Sequence, residues 1–116
     1  MSGKKFDDGK APVHLLPSRP LIEIAKVLDK GATKYGTYNW TDGMEWSRPL
    51  AALYRHMLAW QEGEDVDAET GLNHMAHAGC NVLFLLAYQL YGMGKDDRWK
   101  PGRNETTAEA EGVKLF

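Results

Sequence analysis

The chain has 116 residues, a formal charge of −2, 43% apolar and 26% charged residues. This length suits a single domain that gains from oligomerisation to hide apolar surface, and the near-balanced charge offers no broad basic face for nucleic acid or an anionic membrane. The one cysteine, Cys80, rules out an internal disulfide, and the apolar run 82–88 falls far short of the roughly 20 residues that span a bilayer. A cytoplasmic protein is expected, with Cys80 a buried small hydrophobe and not a nucleophile.

Residues 1–19, with a "DDGK" turn signal and two prolines, read as an extended arm in which Val13, Leu15 and Leu16 are available for packing. Ser18 followed by Pro20 marks a helix start, and Leu21, Ile24, Ala25 and Leu28 follow at helical spacing, predicting a helix over 20–35. Its exit, "YGTYNWTDGMEW", combines turn residues with large flat rings, a composition suited to holding a planar ligand. Ser47 precedes a second helix over 48–62, with Leu50, Leu53, Tyr54, Met57 and Trp60 as its apolar face. After an acidic loop, "GLNHMAHAGCNVLFLLAYQLYG" is helix-compatible up to Gly92 and predicts a third, most buried helix. The polar residues 93–116 are expected to form a loose tail, with Val113, Leu115 and Phe116 as docking points, beside a domain over 1–92. No internal repeat or strand pattern occurs, so the class is all-α: three main helices behind an N-terminal arm.

The chemistry concentrates in "GEDVDAETGLNHMAHAGCN". On a helix three residues advance about 300° and seven about 700°, so His74, His77 and Asn81 share one face. Burying two imidazoles and an amide without partners would cost about 1–3 kcal/mol each, so they require partners. Glu62, Glu64, Asp65, Asp67 and Glu69 precede them, and such clustered carboxylates suit Mg²⁺ or Mn²⁺. A competing use of the same loop is structural, with Asp67 or Thr70 capping the third helix. There is no HExxH pair, no cysteine cage, no His-Asp dipeptide, no glycine-flanked serine elbow and no Walker loop. A divalent cation beside basic side chains points to a phosphate substrate, with Lys10, Lys30, Lys34 and Arg55 as the cations available to hold it.

The segments "KFDDGKAPVHLLP", "GATKYGTYNW" and "RHMLAWQEGEDVDAETGLNHMAHAGCNVLFLL" together resemble the phage-associated dATP/dGTP diphosphohydrolase N-terminal family, a branch of the MazG-like all-α nucleotide pyrophosphohydrolases. The resemblance spans residues 6–89. It implies a MazG-like helical bundle, assembly as a homodimer or homotetramer, Mg²⁺ or Mn²⁺, and hydrolysis of a nucleoside triphosphate. Members from phages that replace adenine with 2-aminoadenine, called MazZ, imply dGTP as substrate, with GTP a further option, and dGMP and pyrophosphate as products. The chain departs from the MazG-like pattern of an ExxE pair on one helix and an ExxD pair on the next. It has Arg55, His56 and Ala59 on the second helix and His77 and Asn81 on the third, so the family's ligands do not transfer by position. The expected ligands are therefore Glu62, Glu64, Asp67 and Glu69, with His74 and His77 as ligands or as groups orienting the carboxylates. Glu64 or Glu69 is the expected base, and Lys10, Lys34, Tyr35, Asn39, Trp40, Arg55 and Asn81 are the expected nucleotide contacts. The alternative is a non-catalytic nucleotide-binding or regulatory helical oligomer.

Overall fold

Proline and glycine punctuate the apolar periodicity into three α-helices, and the computed structural model, which describes residues 8–101, adds two short 3₁₀ turns, Val13–Leu15 and Asn39–Asp42, and isolated β-bridges but no strand among those residues. Helix α1 (Ser18–Tyr35) carries Pro20 in its first turn, where a missing N–H leaves no bond unmade, and stops at Gly36 with a φ of 97°. Helix α2 (Ser47–Gln61) carries Pro49 in the same way. It ends in a Schellman turn in which the Gly63 N–H donates to Trp60 O at 2.9 Å and the Glu64 N–H to Ala59 O at 3.1 Å. Helix α3 (His74–Tyr91) ends on Gly92 in the left-handed region. The all-α expectation holds.

Helix α3 packs against both other helices and supplies most of the buried side chains, namely His74, Ala76, Ala78, Cys80 and Tyr88. Ala76, Ala78, Gly79 and Cys80 in its first half are small, which lets α1 approach closely: a Cβ on Gly79 would lie 2.7 Å from Ile24 Cδ1. Burial pushes the Cys80 thiol up to about 11, in keeping with an inert apolar role. Tyr88 is fully enclosed, and its hydroxyl donates to Trp40 O at 2.8 Å, tying the loop after α1 to the far half of α3.

Several expectations need correction. Helix α3 starts at His74 and not before, because 71–73 turn back on 65–67. The Asp67 N–H donates to Leu72 O at 2.8 Å, the His74 N–H donates to Asp65 O at 2.9 Å, and Val66 bridges Asn73. Neither Asp67 nor Thr70 caps the helix; Asn73 holds the N-cap position without a side-chain bond. On α2 the half-buried stripe passes through Leu50, Leu53, His56 and Ala59, whereas Tyr54, Met57 and Trp60 face outward. This helix is apolar on more than one side, so periodicity alone could not choose the inward face. Val13, Leu15 and Leu16 form or follow a short 3₁₀ turn and are exposed, not packed.

The segment after α3 is not loose over residues 93–98. The Trp46 N–H donates to Lys95 O and the Lys95 N–H to Met44 O, while Trp46 Nε1 donates to Met93 O. Arg98 lies 4.9 Å from the Trp46 ring centroid. Ser47, expected as the cap of α2, is its first helical residue; Asp97 accepts from both the Ser47 N–H at 2.9 Å and the Ser47 hydroxyl, placing a carboxylate at the positive end of the helix. The docking expectation for Val113, Leu115 and Phe116 lies outside the described residues.

Two segments of the chain meet closely at Gly43 and Gly94, both with positive φ. A Cβ on Gly94 would strike the carbonyl oxygen of Met44. Gly94→Ala should therefore lower unfolding free energy by about 2 kcal/mol, from backbone strain plus overpacking. A urea midpoint equal to that of the parent chain would refute this account of the contact.

Candidate metal centre

Loop 62–73 returns the chain from α2 to the start of α3, and its internal pairing sets the site. Asp67 Oδ2 accepts from the Thr70 N–H at 3.1 Å and from the Thr70 hydroxyl at 2.8 Å. The same hydroxyl accepts from the Leu72 N–H at 3.2 Å and lies 2.7 Å from His77 Nε2. Its single proton is directed to the carboxylate, so His77 Nε2 carries hydrogen and donates to Thr70. Asn81 donates from Nδ2 to the carbonyl of His77 one turn back, and so braces α3 instead of reaching outward.

His74 is 4% exposed, and both of its ring nitrogens are engaged. Nε2 lies 2.9 Å from Glu64 Oε1, where the carboxylate can only accept, and Nδ1 lies 2.9 Å from Nδ1 of His56 on α2. The His56 ring is stacked on His77 with centroids 4.4 Å apart and planes 5° from parallel. Three of the four histidines in the chain thus meet between α2 and the start of α3. One potential ligand atom from each of His56, Asp67 and His74 falls within 4.8 Å of the others.

The electrostatics favour neutral imidazoles beside an ionised carboxylate. Burial is the largest influence on both His56 and His77 and lowers their pKa, with neighbouring histidines acting in the same sense. Burial acts to raise Asp67, but the Thr70 hydroxyl and N–H and the nearby His77 outweigh it, leaving Asp67 below its ordinary value. Neutral nitrogen and ionised oxygen are the forms that bind a cation.

The family whose description is "dATP/dGTP diphosphohydrolase, N-terminal" matches residues 1–98. The chain belongs to that family. A dATP/dGTP diphosphohydrolase of Salmonella phage PMBT28 is 40% identical over 117 residues, covering 97% of this chain and 40% of that protein. The chain thus spans about two-fifths of the length of that relative. No solved structure matches it.

Within this fold, the expected site residues divide. Asp67 and His74 enter the cluster, Glu64 grips the outer nitrogen of His74, and His77 holds Thr70 and stacks on His56. Glu62 and Glu69 are exposed, and Glu69 is near enough to act on His77 and Lys34. Lys34 is raised chiefly by its contact with Tyr35, over whose ring its Nζ lies at 5.1 Å. Lys10, Asn39 and Arg55 are exposed. Trp40 is not at the cluster: its ring is stacked on Phe84 at 5.8 Å, ten residues and so about 15 Å along α3 from His74. His56, which shares the group with Asp67 and His74, is not among the ligands the sequence singled out. The only available signal was its place, between Leu53 and Ala59, on one helical stripe, a position usually filled by an apolar residue.

An open cavity of about 560 Å³ lies beside this loop, lined in part by Arg19, Glu23, Trp60, Asp65, Asn73 and Met75. Asp65 and Asn73 are the chain neighbours of Glu64 and His74, so one loop serves both cavity and cluster.

The lowered His56 and His77 fix the sign of a pH effect. Below about 6.5 the unfolded chain takes up protons that the folded imidazoles resist, so stability falls as the pH drops from 6.5 toward the folded values. Thermal melts in chelator should show Tm decreasing from pH 7 to 5.5, with a shallower slope in His56→Gln. A flat profile would contradict neutral burial.

Proposed function

We propose that the chain is the catalytic portion of a metal-dependent nucleoside triphosphate pyrophosphohydrolase, converting dGTP, with GTP as a further substrate, to dGMP and pyrophosphate in phage 2-aminoadenine nucleotide metabolism. The observation that carries the reading is the His56, Asp67 and His74 group, in a chain whose 40%-identical relative bears the name dATP/dGTP diphosphohydrolase. The domain, expected over 1–92, would also take in residues 93–98, which pair with the start of α2, and the bundle would be of MazG-like type.

His56, Asp67 and His74 would hold the cation, and a bound divalent ion would supply charge neutralisation on the phosphates and a more acidic water. Water adds to one of the two phosphorus atoms flanking the α–β bridge, the bridging P–O bond breaks, and its electron pair leaves with the departing phosphate group. The water proton passes to a carboxylate. The bond from His74 Nε2 to Glu64 supports an orienting role for Glu64, which leaves exposed Glu69, close to His77 and Lys34, as the better base. Lys34 and Arg55 would offset phosphate charge. The cavity size suits a nucleoside, and Trp60 on its wall offers a stacking face for the base.

The chain would work as a homodimer or homotetramer. Supporting this, Tyr54 and Leu58 on α2 and Leu83, Leu86 and Leu90 on α3 are exposed, more apolar surface than a lone small domain normally leaves to water.

Incubating purified chain with each nucleoside triphosphate and a divalent cation, then separating products, should give dGMP and pyrophosphate from dGTP. Release of a nucleoside diphosphate and orthophosphate would refute the bond assignment. Nucleotide affinity indifferent to chelator, without pyrophosphate release, would favour a non-catalytic binding module instead. Glu69→Gln should lower kcat by about 10²–10⁴-fold with unchanged helicity. Light scattering should return at least twice the chain mass; a monomer at micromolar concentration would sink the assembly proposal.

A further inference from the structure

We propose that the centre between α2 and α3 is built for a first-row transition dication, favouring Co²⁺ and Ni²⁺ over Mn²⁺ and discriminating against Mg²⁺. This rests on reading the imidazole cluster, and not the exposed acids of the loop, as the metal centre.

Three observations carry it. Nδ1 of His56 and Nδ1 of His74 converge to 2.9 Å from two different helices. Two ligand atoms each about 2.1 Å from one ion and at right angles to each other stand about 3 Å apart, so the pair is spaced to share a cation. Second, the carboxylate of Asp67 belongs to the same group, which makes two nitrogens and one oxygen, with room for water or phosphate oxygen in the remaining positions. Third, the outer contacts are those of a ligand set. His74 gives its other N–H to Glu64, fixing the tautomer that turns a lone pair on Nδ1 toward His56. Thr70 engages only Oδ2 of Asp67 and so leaves Oδ1 without a hydrogen bond among the described residues.

The donor set selects the ion. Mg²⁺ is small, holds its water tightly and is bound through oxygen in near-octahedral sites. Imidazole nitrogen adds little for it but strengthens binding along the series Mn²⁺, Co²⁺, Ni²⁺. Glu62 and Glu69, the oxygen donors that would favour Mg²⁺, are exposed and outside the group. His14 lies on the arm before α1, also outside the group.

The test uses the full chain without a histidine tag and without nucleotide. Metal-free protein is titrated with Mg²⁺, Mn²⁺, Co²⁺ and Ni²⁺ by calorimetry and thermal melting, and the Co²⁺ form is examined for visible ligand-field absorption. The expected result is a Co²⁺ dissociation constant at least 100-fold below that for Mg²⁺, a raised Tm, and nitrogen-type Co²⁺ absorption. His56→Gln and His56→Ala should each weaken Co²⁺ binding at least tenfold, whereas His14→Gln should not. Circular dichroism confirms that the variants fold, and Asp67→Asn supplies an independent ligand change. Equal Mg²⁺ and Co²⁺ affinity, affinity unaffected by all three site variants, or no binding would overturn the proposal and leave the two imidazoles simply hydrogen-bonded. Failure of nucleotide turnover with intact Co²⁺ binding would instead refute the pyrophosphohydrolase reading alone.

Discussion

Enclosing His74 at the junction of α2 and α3 imposes a requirement on the surrounding chain. A buried imidazole must satisfy both ring nitrogens, and its two neighbours come from opposite sides, Glu64 from the loop and His56 from α2. To bring Glu64 there the chain must leave α2 sharply, which the left-handed Gly63 and its Schellman bonds accomplish. It must then return to begin α3 at residue 74, which the pairing of 65–67 with 72–74 accomplishes. Thr70, with its one donor and two acceptor positions all used, locks Asp67 and His77 into the same arrangement.

The same helix solves two packing problems with two halves of different character. Its first half presents Ala76, Ala78, Gly79 and Cys80, small enough for α1 to close in, while His74 and His77 of the same half meet α2 and the loop before α3. Its second half carries large apolar side chains, of which Tyr88 is enclosed while Val82, Leu83, Leu86 and Leu90 stay open. Burial within one copy is thus greatest around the polar cluster. The exposed apolar faces of α2 and α3 would supply the driving force for the proposed association. Residues 93–98 add a further constraint by placing Asp97 on the first turn of α2, fixing the entry of the helix that carries His56.

Much of the fold was legible in the residues themselves. Pro20, Pro49, Gly36, Gly63 and Gly92 marked the helix ends to within a few residues, and the absence of alternating apolar patterns indicated the all-α class. The crowding of acids and histidines likewise drew attention to the stretch that supplies Asp67 and His74 to the group. It could not rank them: Asp67 and Glu64 sit in the same acidic run as Glu62 and Glu69, and only the loop's internal hydrogen bonds separate the first pair from the second. The aromatic loop was equally ambiguous, since Trp40 has the composition of a base platform but spends its ring on Phe84.

Sequence alone determined the local matters: where helices begin and stop, that His74, His77 and Asn81 share a face, and which family the chain resembles. These follow from backbone stereochemistry and helical period, which act over a few residues. Tertiary structure alone decided that His56, eighteen residues before His74, is its partner and that Asp97 caps a helix begun fifty residues earlier. Each is a contact between elements. Which of several apolar or polar faces turns inward is fixed by what stands opposite it, and that is not a property of any one helix.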